Sequence, residues 1–524
     1  MAAWWRNAVI YQIYPRSFRD ANGDGIGDLA GIVERLDYVA ALGVDAVWLS
    51  PVFRSPMKDF GYDIADHTAI DPLFGDLADA ERLIARAHDL GLKVLFDMVW
   101  GHTSDRHPWF VQSRASRDNP KADWYVWADP RPDGTPPNNW LAVFGGAAWS
   151  WEPRRRQYYL HHFLPSQPAV NWRCPAAVDA LMAVGAFWLD RGVDGFRLDA
   201  VDFLLHDAAL RDNPARPPAE IPLRPFAMQD HLHDMIQPQL MAAMARIRGL
   251  TDRHPGTVTM AELSGVGDPV ARAALYTAPG HLDLAYTLGQ MRRPCTAHGL
   301  QSLIAEVEAK APGGGLVWAL SNHDVERAAS RWGDGSADAA RLLLALLLSL
   351  RGCLCLYQGD ELGLPEADIP ADRLQDPFGL AFWPDFKGRD GCRTPLPWTP
   401  DGVGAGFSSA EPWLPIPESH RPLAVAAQEE DGTSVLNTAR RLLRWRKTHP
   451  ALTEGSLIPV HLDADLVAFE RMAGEDRLLC LFNPSATPRR LPLPEGRRPA
   501  EGVNYGVDGA DLALGPWGAA FLAG

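Results

Sequence analysis

Gly195-Phe196-Arg197-Leu198-Asp199-Ala200 is a short, mostly apolar run that ends in an acid. Its length and its glycine start suit a buried strand, and alternation along a strand puts Arg197 and Asp199 on one face. The residues just before it, 176–191, carry the apolar spacing of an amphipathic helix. Outward in both directions the same strand-helix unit recurs. Strands are expected at 9–14, 46–50, 93–99, 195–199, 258–263, 282–287, 317–321 and 354–358, and helices at 29–42, 77–90, 176–191, 337–350 and 434–447. Eight such units predict an α/β chain folded as a (β/α)8 TIM barrel.

Two stretches break the rhythm. Residues 102–172 are rich in Trp, Pro, Asn and Gly with little helical period, too long for a plain loop, and read as a subdomain inserted after strand 3. Residues from about 359 to 417, rich in Pro and Asp, form a second insert after strand 8. Beyond residue 452 the helical pattern stops, and 457–461, 466–471 and 478–482 alternate like antiparallel strands. The expected division is therefore barrel over 1–101 and 173–452, inserted subdomain over 102–172, and a C-terminal antiparallel β-sandwich domain over 453–524.

The net charge of −15 disfavours nucleic acid and anionic membrane as partners. The six cysteines form no CxxC pair and no Cys/His cluster at zinc spacing. The first residues lack a basic stretch followed by an apolar one, and the most apolar run, 342–350, is too short to span a bilayer and reads as a buried helix. A cytoplasmic protein, monomer or homodimer, is the expectation, with no organic cofactor.

In a barrel of this type, functional groups sit at the C-terminal ends of the strands. Those ends carry Asp97 with His102 just beyond it, then Arg197 and Asp199, then Glu262, then His323 and Asp324. Burying so many acids at one mouth is costly unless they are paired or used, so the set points to acid-base chemistry. Near the N-terminus, Asp20, Asn22, Asp24, Ile26 and Asp28 repeat oxygen ligands at every second position, with Gly25 at the turn. The pattern matches the first nine positions of an EF-hand loop, although Gly31 replaces the twelfth-position Glu, and it predicts a structural Ca²⁺ or Mg²⁺ site.

The stretches 8–32, 59–64, 96–110, 167–172, 195–201, 260–263, 321–327, 357–363 and 393–398 together make the chain resemble glycoside hydrolase family 13, the α-amylase family, in its α-glucosidase and oligo-1,6-glucosidase branch. The resemblance implies Asp199 as nucleophile, Glu262 as general acid/base and Asp324 as the carboxylate that holds the sugar's 2- and 3-hydroxyls. It further implies a glucose subsite of Asp59, Tyr62, His102, Arg197, His323 and Arg393, with Tyr62 under the ring and Asp59 with Arg393 closing the far end. Phe163 and Gln167 are expected at the entrance. The activity implied is retaining, exo-acting release of glucose from small neutral α-glucosides, with glucosyl transfer or sugar isomerisation through the same intermediate as the alternative. Ala200, beside the nucleophile, stands where α-1,6-cleaving members of the branch tend to carry Val, which predicts a preference for α-1,4 links. A non-catalytic protein on the same fold is disfavoured, because all three carboxylates are kept.

Overall fold

The computed structural model describes residues 3–217 and 221–524. Its centre is a parallel sheet of eight strands: β1 (Val9–Ile13), β2 (Ala46–Leu49), β3 (Lys93–Met98), β4 (Gly195–Leu198), β5 (Val258–Leu263), β6 (Leu284–Thr287), β7 (Trp318–Ala319) and β8 (Leu354–Tyr357). The strands pair in the order β6-β5-β4-β3-β2-β1-β8-β7. A parallel bridge between Ala285 and Leu316 joins the two ends and closes the barrel. Each strand expected from sequence is present, several with their ends trimmed by a residue or two. The β4–β5 pairing requires glycine at its start, since a Cβ on Gly195 would lie 2.1 Å from the Val258 carbonyl oxygen.

Eight helices follow the strands in turn: α1 (Leu29–Leu42), α2 (Leu77–Asp89), α3 (Pro175–Leu189), α4 (Leu240–Thr251), α5 (Pro269–Tyr276), α6 (Ala297–Lys310), α7 (Ala337–Ser349) and α8 (Val435–Lys447). Their ends follow capping chemistry. Asp28 caps α1 by accepting from the Gly31 amide, Asp76 and Asp79 form a capping box on α2, and Pro175 opens α3. Helix α7 is buried almost all round, because α8 packs on one side and the C-terminal sheet on the other. Its apolar run therefore serves two interfaces. Among the described residues no helix is long and apolar enough to cross a membrane.

The subdomain between β3 and α3 carries a three-stranded antiparallel sheet of Trp127–Ala128, Trp149–Glu152 and Gln157–Leu160. Bridges of His102 with Ala169 and Tyr125 with Val170 bring its two ends together at the barrel mouth. The C-terminal strands, β9 (Ser456–Pro459), β10 (Val467–Ala473), β11 (Asp476–Phe482), β12 (Arg489–Pro492), β13 (Arg498–Asp508) and β14 (Asp511–Ala523), are antiparallel and joined by one continuous ladder. The long strand β14 pairs with β11, β12 and β13.

Between β4 and α4 lies a segment that the strand-helix rhythm did not flag. Residues 201–217 and 221–239 hold only two short 3-10 turns, Val201–Phe203 and Pro225–Met228, and run over the barrel mouth.

Candidate active site

Arg197 organises the mouth. Its position on β4 buries it completely, with Trp48 from β2 and Tyr286 from β6 beside it. Nη1 donates to Asp97 Oδ1 at 2.7 Å and to Asp199 Oδ1 at 2.8 Å, and Nη2 donates to Glu262 Oε2 at 2.5 Å and to the Tyr286 hydroxyl at 3.0 Å. Asp199 and Glu262 are thus held on neighbouring nitrogens of one planar group. Their separation is limited to that group's width and two hydrogen bonds, compatible with the ~5–5.5 Å of a retaining pair.

One guanidinium facing three buried carboxyls leaves an excess of negative charge, which favours proton uptake. Burial is the main cause in each case, and Arg197 opposes it. Asp97 is pushed up to about 6, Asp199 to about 7 and Glu262 to about 8. The charges of Asp199 and Asp324 add to the rise at Glu262. Asp199 and Glu262 titrate as a pair. A single proton shared between them leaves one carboxyl protonated and the other ionised against Arg197, which is the arrangement that a double displacement needs.

Asp324 completes the set from beyond β7. Burial opposes its ionisation, yet the hydrogen-donating His323 ring and the guanidiniums of Arg389, Arg393 and Arg197 outweigh that and hold it well below the ordinary carboxylate value. Its Oδ1 accepts from Arg389 Nη1 at 3.0 Å and from Arg393 Nη2 at 2.9 Å. His323 lies stacked on Tyr62, ring centroids 5.2 Å apart, with Gln12 Nε2 on its Nδ1 at 2.8 Å. The Gln12 amide nitrogen can only donate, so the His323 proton sits on Nε2, 3.3 Å from Asp324 Oδ2. Burial lowers His323 to about 3 and His102 to about 4, so both rings are neutral hydrogen-bonding groups.

The far end of the pocket departs from the expected pairing. Asp59 accepts from Gln167 Nε2 at 3.0 Å and from Arg389 Nη2 at 2.8 Å. Arg393 instead reaches Asp324 and the His323 carbonyl, and it is 1% exposed. Arg389 is thereby shared among Asp59, Asp324 and Asp376. Sequence reading passed over it, although it lies four residues from Arg393 in the second insert. His102 contacts the Tyr62 carbonyl at 2.9 Å, and Tyr62 donates to Asp97 Oδ2 at 3.0 Å.

These groups open into a cavity of about 540 Å³. Asp59, Tyr62, His102, Gln167, Asp199, Glu262 and Asp324 line it, with the Phe163 ring 5.3 Å from that of His102. Arg197, His323 and Arg393 lie behind that lining. Five phenylalanines also line the cavity: Phe144, Phe163, Phe203, Phe226 and Phe378 come from the inserted subdomain, the β4–α4 segment and the second insert, and Arg216, Arg224, His231 and Arg292 stand among them. Apart from Phe163, none of these was found from sequence. Three separate aperiodic stretches supply the phenylalanines, and only the topology shows that they meet.

The family model for the α-amylase catalytic domain matches residues 12–455. The chain belongs to the α-amylase family. Within it, the chain sits in the branch of α-glucosidases and oligo-1,6-glucosidases. It is 51% identical over 99% of its length to a probable α-glucosidase of Rhizobium meliloti (strain 1021), covering 96% of that protein. It is 34% identical to an oligo-1,6-glucosidase of Parageobacillus thermoglucosidasius, covering 98% of both chains. Among solved structures, an α-glucosyl transfer enzyme, XgtA, superposes with a TM-score of 0.97 at 50% identity, and the trehalulose synthase MutB of Pseudomonas mesoacidophila MX-45 with 0.91 at 34%, each covering 100% of both chains. This member of the α-amylase family is an enzyme acting on α-glucosides.

The N-terminal loop of this family member is folded on its own acids. Asp20 accepts from the Gly23 and Gly25 amides at 2.6 and 2.8 Å, Asn22 from Asp24 N at 2.9 Å, Asp24 from Ile26 N at 2.9 Å, and Asp28 from the amides of Ala21 and Asn22 at 3.1 Å. The turn at Gly25 needs glycine, with φ at 90° and the Glu411 carbonyl oxygen 2.3 Å from where a Cβ would lie. The donor set is all oxygen, which fits a hard divalent cation. Among the described residues no three His, Cys, Asp or Glu side chains converge, so such an ion would also draw on Asn22 and the Ile26 carbonyl.

Proposed function

We propose that the protein is a retaining α-glucosyl-transferring enzyme that takes glucose from the non-reducing end of short α-1,4-linked glucosides and passes it to an acceptor hydroxyl, with hydrolysis as the competing outcome. The observation that carries this reading is the make-up of one pocket: an acid cluster where Asp59 is paired with Arg389, and beside it five phenylalanines set among arginines. The acid cluster suits one terminal sugar. The phenylalanine rings suit an acceptor with an apolar face that displaces water, and the likeness to a glucosyl transfer enzyme at 50% identity supports the same reading.

In the first step Asp199 attacks the anomeric carbon, the glycosidic bond breaks, and Glu262 gives its proton to the leaving oxygen. In the second, an acceptor O–H attacks the glucosyl ester. The new C–O bond forms, the bond to Asp199 breaks, and the acceptor's proton passes to Glu262. Water can take the acceptor's place. Asp324, Tyr62, His102, His323 and Arg393 serve the glucose subsite directly or by fixing those that touch it. The α-1,4 preference rests on Ala200, whose small side chain leaves room beside the leaving sugar. A Ca²⁺ or Mg²⁺ ion held by Asp20, Asn22, Asp24, Ile26 and Asp28 is proposed as a structural element of the N-terminal loop.

The test is the product spectrum from maltose with and without an added alcohol, followed from the first turnovers. Acceptor α-glucoside exceeding free glucose supports the reading. Glucose alone at high maltose and high acceptor would reduce the protein to a hydrolase, and a β-configured first product would remove the covalent mechanism as well.

A further inference from the structure

The wall residue Phe226 sits on a segment with little apolar burial of its own, since Leu223 and Met228 on either side are exposed. What fixes Phe226 is His231. Its ring stacks on the phenyl at 3.7 Å between centroids, and its Nε2 lies 2.8 Å from the Phe226 carbonyl oxygen. The other nitrogen, Nδ1, lies 2.7 Å from Asp234 Oδ2. His231 and Asp234 are 7% and 2% exposed, which makes these bonds strong and costly to lose.

The pair is anchored at its other side to the catalytic strands. Ile236 N donates to the Asp202 carbonyl at 2.8 Å, and Asp202 Oδ2 accepts from Ser264 N at 2.8 Å. Asp202 and Ser264 follow the nucleophile and the acid/base by three and two positions. Through this chain of contacts, the aromatic wall is registered against the two carboxyls that form and discharge the glucosyl-enzyme.

We infer that Asp234 is a positioning residue that, through His231, which lines the cavity beside Phe226, sets the acceptor wall and so decides how the glucosyl-enzyme divides between an apolar acceptor and water. The inference rests on the transfer reading above. Neither residue takes part in bond making. Their effect falls on the second step, where a wall held in place excludes water and seats the acceptor.

The experiment compares the unaltered protein with Asp234→Asn and His231→Phe, using p-nitrophenyl α-glucoside as donor and benzyl alcohol or glycerol as acceptor. The readout is the ratio of acceptor glucoside to free glucose. Both products arise from one intermediate, so the ratio does not depend on how much enzyme is active. The expected result is a fall of about tenfold in the benzyl ratio for both variants, with a much smaller change for glycerol, which does not need an aromatic wall. Wild-type ratios for both acceptors in both variants would overturn the inference, as would equal losses for the two acceptors. If the unaltered protein forms no acceptor glucoside at all, the transfer reading fails and takes this inference with it.

Discussion

Arg389 Nη2 donates to Asp59 Oδ1 at 2.8 Å, and the two residues are 330 positions apart in the chain. One comes from the loop after β2, the other from the insert after β8, and both line the pocket. Arg389 also faces Asp324 and Asp376, and with Arg393 it overcomes the burial of Asp376 and holds that carboxyl down to about 2. Arg389→Ala therefore leaves three buried carboxylates short of a cation, a loss of the kind that costs about 3–5 kcal/mol. The expected outcome is a fall of at least ~100-fold in kcat/KM for maltose together with a lower Tm. Arg389→Lys should recover stability better than activity, since an ammonium cannot reproduce the fork that reaches several acids at once. Steady-state kinetics and thermal unfolding of both variants check this, and near-normal kcat/KM in the alanine variant would refute it.

Glu262 and Asp199 make the pH dependence specific. In the proposed mechanism the productive form has the proton on Glu262 and none on Asp199. As pH rises through about 8, where burial places the Glu262 carboxyl, the acid is lost and kcat/KM for maltose should fall. As pH drops below about 7, Asp199 takes up its proton and the nucleophile is lost. A bell with its crest between these limits is expected. Glu262→Gln should remove the basic limb. With p-nitrophenyl α-glucoside, whose leaving group needs no acid, that variant should release a burst of nitrophenol and then slow, because no base remains for the second step. Asp199→Asn should show neither burst nor turnover.

How far the chain could be read in advance depends on how local the signal is. The barrel strands were legible because strands buried on both faces are nearly continuous apolar runs, as in 46–49 and 354–357. Asp199, Glu262 and Asp324 were legible as candidates because each lies in or shortly after such a run. Strands β12 to β14 were not, since Pro492, Gly502, Gly506, Gly515 and Pro516 blur their alternation. Nor was the partner of Asp59. Arg389 and Arg393 lie in one aperiodic loop, and nothing in their spacing says which reaches which acid. The β4–α4 segment did carry a sign: 41 residues, rich in Pro and charge, separate a strand end from the next helix. A stretch of that length is seldom a plain connection.

The oxygen ligands of the N-terminal loop give a prediction that separates stability from catalysis. Asp28 both caps α1 and accepts from loop amides, and Ser408 Oγ donates to Asp20 at 2.6 Å, which ties the loop to the second insert. An ion here stabilises the folded state by mass action. A strong chelator should lower Tm by several degrees while leaving the rate per surviving molecule close to its starting value, and added Ca²⁺ or Mg²⁺ should restore Tm. Asp24→Ala should reproduce the lower Tm and abolish the response to chelator. A Tm that chelation does not move would remove the proposed ion.

Ala200 carries both a specificity and a stability consequence. Its backbone lies in the left-handed region, with φ at 43° and ψ at 46°, and its amide donates to Glu262 Oε2 at 3.3 Å. A β-branched residue at such φ is strained by roughly 1–3 kcal/mol. Ala200→Val should therefore lower Tm while adding bulk beside the leaving sugar. Under the proposed α-1,4 preference, the ratio of kcat/KM for maltose over isomaltose starts above one and should fall in the variant, mainly through the maltose value. Relief of the strain by a shift in the backbone would also move the amide that faces Glu262, and the basic limb of the pH profile would move with it. A variant that keeps the maltose preference and the wild-type Tm would show that neither the side chain's bulk nor its backbone conformation matters at this position.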